Sequence, residues 1–232
     1  MKLFAIGDLH LSGAKEKPMD LFGENWRNHP QRIQAYWNEA VSDDDLVLIP
    51  GDISWAMALN DALIDFDFIH ALPGKKILLR GNHDYWWSSP TKIRASLPPS
   101  MEVLQNQAFR FGNLSIGGTR LWSCPGEKGA DPEDEKIYAR ELGRLKLSLD
   151  AMAADTEKLI MLHYPPFGEK NSPSPATEML EAYGVKTVLY GHLHGPSHKF
   201  AFEGERNGIT YHLVSSDYLD FVPKFIMDVP GV

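Results

Sequence analysis

Short, nearly continuous apolar runs recur along the chain, at residues 3–6, 46–49, 77–79, 159–162 and 188–190. Runs without polar alternation predict strands buried on both faces, as in layered α/β proteins. Between them lie stretches with helical spacing. Residues 30–40 and 60–71 predict helices, the second through Leu63, Ile64, Phe66, Phe68 and Ile69. Residues 131–152 predict the longest helix. Asp131, Pro132 and the acids after them suit a helix N-terminus, and Ile137, Leu142, Leu145 and Leu149 fall near one face. Residues 103–119, with Gly112 and Asn113 between apolar runs, and 199–214, broken at 204–208, read as hairpins, and 224–229 as a last strand. Strand–helix alternation followed by hairpins predicts sheets covered by helices. Two long loops, 12–29 and 164–175, interrupt the pattern, and loops of that length are often functional.

Composition narrows the class. With 232 residues and no internal repeat or linker, one domain spanning 1–232 is expected. The net charge of −8 and the lack of a Lys/Arg run do not favour nucleic acid as a partner. No stretch approaches the roughly 18 apolar residues of a membrane span. The run at 3–6 is broken by Gly7 and Asp8, too early for a signal peptide, so the expected location is cytoplasmic. Cys124 is the only cysteine, which excludes an intrachain disulfide and Cys-rich zinc sites and fits a reducing compartment. Oligomeric state is not readable.

Every one of the five apolar runs ends in a polar cluster. Asp8 and His10 follow the first, Gly51 and Asp52 the second, and Gly81, Asn82, His83 and Asp84 the third; His163 follows the fourth, and His192 and His194 the fifth. Ligands of α/β sheets bind beyond the carboxyl ends of strands, so the five clusters are expected at one edge. Imidazole and carboxylate together suit divalent first-row metals, whereas an all-oxygen set would point to Mg²⁺ or Ca²⁺. Asp8, His10, Asp52, Asn82, His163, His192 and His194 are enough donors for two metals sharing one. Two divalent cations against two aspartates leave the site locally positive, which attracts phosphate and hydroxide.

The ordered series DLH, GD, GNHD, H and GHLH, spread from Asp8 to His194, resembles the calcineurin-like metallophosphoesterase superfamily. The resemblance implies an α/β fold, a four-layer α/β/β/α sandwich with a dinuclear metal site at the sheet edge. It implies that Asp8, His10 and His194 bind one metal, that Asn82, His163 and His192 bind the other, and that Asp52 bridges them. The metals would be two divalent ions, Mn, Fe or Zn. His83 would match the histidine that stabilises the transition state or protonates the leaving oxygen. The implied reaction is phosphoester hydrolysis, mono- or diester, by a hydroxide held between the metals. Several relatives carry a carboxylate or histidine three residues after the bridging Asp, to orient the catalytic histidine. Here that position is Trp55, which is not a good acceptor, and Asp84 either does the orienting or caps the following turn.

The substrate expected is a phosphorylated small molecule. A nuclease, a UDP-diacylglucosamine-type pyrophosphohydrolase and a non-catalytic metal-binding scaffold are the alternatives within the same superfamily. Trp55, Tyr85, Trp86 and Trp87 are candidates for an apolar wall around a leaving group. Arg27 and His29 in the 12–29 loop are candidate phosphate contacts, Arg80 a candidate support of the Asn82 loop, and Lys170 a weaker candidate.

Overall fold

The computed structural model describes residues 1–15, 17–126 and 131–229; Glu16, inside the 12–29 segment, lies outside the described residues. In chain order, β1 (Lys2–Ala5) and α1 (His29–Ala40) lead to β2 (Leu46–Pro50), α2 (Leu59–His70) and β3 (Lys75–Leu79). α3 (Pro90–Arg94), β4 (Met101–Val103), β5 (Ala108–Phe111), β6 (Leu114–Thr119) and α4 (Pro132–Asp150) follow. β7 (Glu157–Leu162), α5 (Pro175–Ala182), β8 (Thr187–Tyr190), β9 (Gly204–Arg206), β10 (Ile209–Leu213) and β11 (Lys224–Asp228) complete it.

The strands form two mixed sheets, ordered β11-β1-β2-β3-β4 and β5-β6-β7-β8-β10-β9. β1 to β4 run parallel and β11 antiparallel to β1. In the second sheet β6, β7, β8 and β10 are parallel, with antiparallel β5 and β9 at the edges.

Alternate residues of the apolar runs feed different layers. Leu3, Ala5, Leu46 and Leu48 meet Leu159, Met161 and Leu189 between the sheets. Phe4, Ile6, Val47 and Ile49 face Ile33, Trp37, Phe66 and Ile69 of α1 and α2. Ile160, Leu162, Val188 and Tyr190 face Leu145, Leu149 and Leu180 of α4 and α5. The result is the four-layer sandwich, and burial on both faces explains why the runs lack polar alternation. α4 begins where the sequence places it, with Asp131 and Asp134 forming a reciprocal cap and Pro132 in the first turn.

Three elements differ from expectation. The short helix α3 lies where no element was expected. The 199–214 hairpin turns at Asn207 and Gly208, both left-handed (φ 53° and 76°), and residues 204–206 are themselves strand β9 rather than turn. Helix α5 was not expected; Ser174 and Thr177 form its cap and Pro175 its first position, a signal the proline-rich context obscures. Among the described residues, no helix is long and apolar enough to cross a membrane.

The two sheets are tied together at their carboxyl edge. Gly7 N–H donates to Val214 O at 2.6 Å and Ser216 N–H to Gly7 O at 3.0 Å, so the chain leaving β1 runs beside the chain leaving β10. Residues following strands of different sheets therefore meet.

Candidate metal centre

All seven donors named above converge at that edge. Asp8 Oδ1 lies 3.5 Å from His194 Nε2 and 3.8 Å from His163 Nδ1. Asp52 turns Oδ2 toward His10 Nε2 (3.8 Å) and Oδ1 toward His163 Nε2 (3.5 Å), one oxygen to each side. His10 Nε2 and His194 Nε2 are 3.3 Å apart. Asn82 Oδ1 sits 2.7 Å from His163 Nε2 and 3.0 Å from His192 Nδ1. Two sets, Asp8/His10/His194 and Asp8/Asp52/His163, each keep a donor atom from every member within 4.8 Å of the others.

The backbone is bent to reach this arrangement. Asp8, His10, Asp52 and His192 all adopt positive φ, at 56°, 47°, 50° and 73°. Left-handed backbone costs a non-glycine residue roughly 1–2 kcal/mol, and such strain gathers at functional sites. The motif glycines serve close approach. A Cβ at Gly81 would strike the Asp52 carboxylate, and one at Gly191 the Asp8 carboxylate.

The donor chemistry fits a cation. His163 Nδ1–H donates to Pro50 O at 3.1 Å, so the neutral ring presents a lone pair at Nε2 to the oxygens of Asn82 and Asp52, acceptor facing acceptor. Burial and the neighbouring Asp8 charge push Asp52 up to about 7. Burial would raise Asp8 too, but His194 outweighs it and holds Asp8 well below the usual carboxylate range. Burial lowers His10, His163 and His192, the last to about 3. Buried carboxylates beside neutral imidazoles are groups that a divalent ion stabilises together.

Supporting contacts hold the donors. Asp217, in the chain after β10, accepts from His194 Nδ1–H at 2.7 Å and from Gly195 N–H at 3.0 Å, and lies 3.3 Å from His198 Nε2. Burial would lower His194, but Asp217 and Asp8 raise it to about 10. Asp217 is absent from the sequence-derived set, because it follows a strand whose place beside β8 nothing local reveals. Asp84 does not face His83. It accepts from Ile53 N–H (2.9 Å), Ser54 N–H (3.2 Å), Gly81 N–H (2.7 Å) and Trp86 Nε1–H (3.1 Å), which staples the loop after β2 to the loop after β3.

His83 donates its backbone N–H to Asp52 Oδ1 at 2.8 Å, and its buried Nδ1 has no partner among the described residues. Its ring lies 4.4 Å from Trp55, which also stacks on His10 at 4.9 Å. Burial pushes His83 down to about 4. His10, His83 and His194 open onto a cavity of about 720 Å³ whose other walls include Trp26, Trp55, Phe22, Met57 and Tyr85, with Lys15 and Lys17. Trp86 and Trp87 are buried in the core instead of lining that wall. His29 is buried against the His10 and Trp26 carbonyls, and Arg27 pairs with Glu24 on the surface, so neither lines this cavity. Lys170 lines a second cavity of about 630 Å³, which His192 also borders.

The fold and sequence have recognisable relatives. The chain superposes on the phosphopantetheinyl hydrolase of Mycobacterium tuberculosis with a TM-score of 0.61 at 13% identity, over 100% of this chain and 97% of that one. A protein of unknown function from Aquifex aeolicus gives a TM-score of 0.50 at 15% identity, over 97% and 95%. No curated protein sequence matches significantly. The family model for calcineurin-like phosphoesterases matches residues 1–196, and the chain belongs to that family.

Proposed function

We propose that this chain is a phosphoester hydrolase acting with two divalent cations on a phosphorylated small molecule. Asp8, His10 and His194 would hold one cation, Asn82, His163 and His192 the second, and Asp52 both. The single observation that carries the reading is the Asp52 carboxylate, with one oxygen toward His10 and the other toward His163. Mixed N/O donors suit Mn²⁺, Fe or Zn²⁺. Bound there, such cations supply Lewis-acid polarisation of a phosphoryl oxygen and an acidified water.

The chain's own residues supply position and protons. Asp217 fixes the His194 ring and Pro50 O the His163 ring, so their remaining nitrogens face the centre. His83, in the cavity wall beside the centre, delivers a proton to the departing oxygen. The 720 Å³ cavity takes the organic group, with Trp55 and Tyr85 against its apolar part and Lys15 and Lys17 near any further anion. A compact organic group fits this better than a polynucleotide, given a net charge of −8. The lone cysteine fits a reducing compartment, the cytoplasm.

The test is turnover of p-nitrophenyl phosphate and bis(p-nitrophenyl) phosphate by Mn²⁺-loaded protein. Wild type hydrolyses at least one of them, and Asn82→Ala loses about a hundredfold or more. Metal binding without turnover of either would support the scaffold alternative, and an unchanged rate in Asn82→Ala would overturn the assignment of the centre.

A further inference from the structure

Away from that centre, the ends of β3 and β6 enclose a small polar cavity of about 180 Å³. Arg80, Arg120 and Arg144 line it, with Ser88, Gln105 and Glu141. Arg80 Nε, Arg120 Nε and Ser88 Oγ are buried and have no hydrogen-bond partner among the described residues. The Arg120 side chain is only 10% exposed.

Among the described residues lining the cavity, Glu141 is the one carboxylate, and it is shared. It lies 2.6 Å from Arg144 Nη1 and 3.5 Å from Arg120 Nη2, with Arg140 Nε at 3.9 Å, and its Oε2 accepts from Thr119 Oγ1 at 2.6 Å. Three lining guanidiniums against one carboxylate leave two positive charges in excess. Burial leaves Arg80 and Arg120 below their ordinary range; the nearby acids, Glu141 for both and Asp84 for Arg80, offset part of this, and the neighbouring arginines add to it. Leaving a buried donor unpaired is costly, more so when it is charged. Water would satisfy the hydrogen bonds but not the charge.

We propose that this cavity binds a tetrahedral oxyanion of the phosphate type, taking N–H donors from Arg80 and Arg120 and the hydroxyl of Ser88, with Arg144 as countercharge. Guanidinium forks match such an anion. The volume, a quarter of the 720 Å³ beside the metal centre, admits an inorganic anion and excludes a nucleotide. Arg80 directly precedes Gly81 and Asn82, and the Arg120 carbonyl accepts from the N–H groups of His163 (3.2 Å) and Tyr164 (3.0 Å). The anion therefore sits between the two segments that deliver Asn82 and His163. The site stands whether or not the chain hydrolyses phosphoesters.

Calorimetric titration of inorganic phosphate into Mn²⁺-loaded protein at low ionic strength tests it. Wild type binds one equivalent in addition to any held at the metal centre, and that equivalent is bound at least tenfold more weakly by Arg144→Met and partly restored by Arg144→Lys. Arg144 is partly exposed (32%) but pairs with the buried Glu141, so a melting curve accompanies each variant to check that the fold is intact. Arg80→Met gives the same loss. Isotherms that are the same for wild type and Arg144→Met mean a cavity holding water only, and overturn the proposal.

Discussion

Asp217, just after β10, holds His194, just after the neighbouring strand β8, with its Oδ1 2.7 Å from the ring Nδ1. A carboxylate on the far nitrogen of a metal-facing histidine fixes ring and tautomer, and its loss typically weakens metal affinity about 10–100-fold. In Asp217→Asn the charge behind His194 disappears while the shape is kept. Manganese affinity, measured by titration of the metal-free variant, falls within that range. Turnover recovers largely at saturating metal. An affinity equal to wild type would show that His194 needs no such support.

His83 and Trp55 form the second pairing of consequence. Their rings are 4.4 Å apart, and among the described residues no carboxylate reaches the His83 Nδ1. In its proposed role His83 would deliver a proton to the leaving oxygen, and general acid catalysis contributes about 10²–10⁴-fold. The effect depends on how much help the leaving oxygen needs. His83→Ala therefore lowers kcat strongly for an alkyl phosphoester and only weakly for p-nitrophenyl esters, with metal content unchanged. Equal losses on both leaving groups would assign His83 to phosphate binding instead.

The layered fold was legible because runs such as 47–49 in β2 and 159–162 in β7 are buried on both faces and leave no polar positions to confuse their reading. The residues after each strand were legible as a set for the same reason, since parallel strands end at one edge. Which of them face inward was less so. Arg27 and His29 follow the first cluster closely, yet one pairs with Glu24 and the other is buried under His10. Asp217 follows β10, whose alternating ITYHL reads as a hairpin arm; only its parallel pairing with β8 brings its end to the site. The left-handed backbone at Asp8, His10, Asp52 and His192 is likewise imposed by tertiary contacts and carries no local signal.

Asp84 supplies a stability prediction separate from chemistry. Its carboxylate is buried and accepts four N–H bonds from two loops and Trp86. Asp84→Asn keeps the shape but turns an amide NH₂ against donors already present. The expected cost is about 1–3 kcal/mol, and Tm falls by about 2–4 °C per kcal/mol in a chain of this size. A melting curve of the metal-free protein reads it directly. A Tm matching wild type would mean that these loops hold their shape without the staple.

Lys76 is a lysine inside the first sheet, 1% exposed, whose ammonium donates to Leu72 O just beyond the end of α2. Burial pushes its pKa from the ordinary 10.5 down to about 8, with Asp43 offsetting part of the shift. Below pH 8 the lysine is charged in both folded and unfolded chains, and the folded state bears the full desolvation cost. Between pH 8 and 10.5 the unfolded chain keeps a proton that the folded chain releases, so this group's contribution to stability rises with pH. Above that window the cost is gone. Lys76→Met removes the charge while preserving length and packing. The variant melts higher than wild type at pH 7, and the gap narrows as the pH is raised from 8 to 10. A gap that is constant across that range would show that Lys76 titrates normally and that its ammonium is solvated in the folded protein.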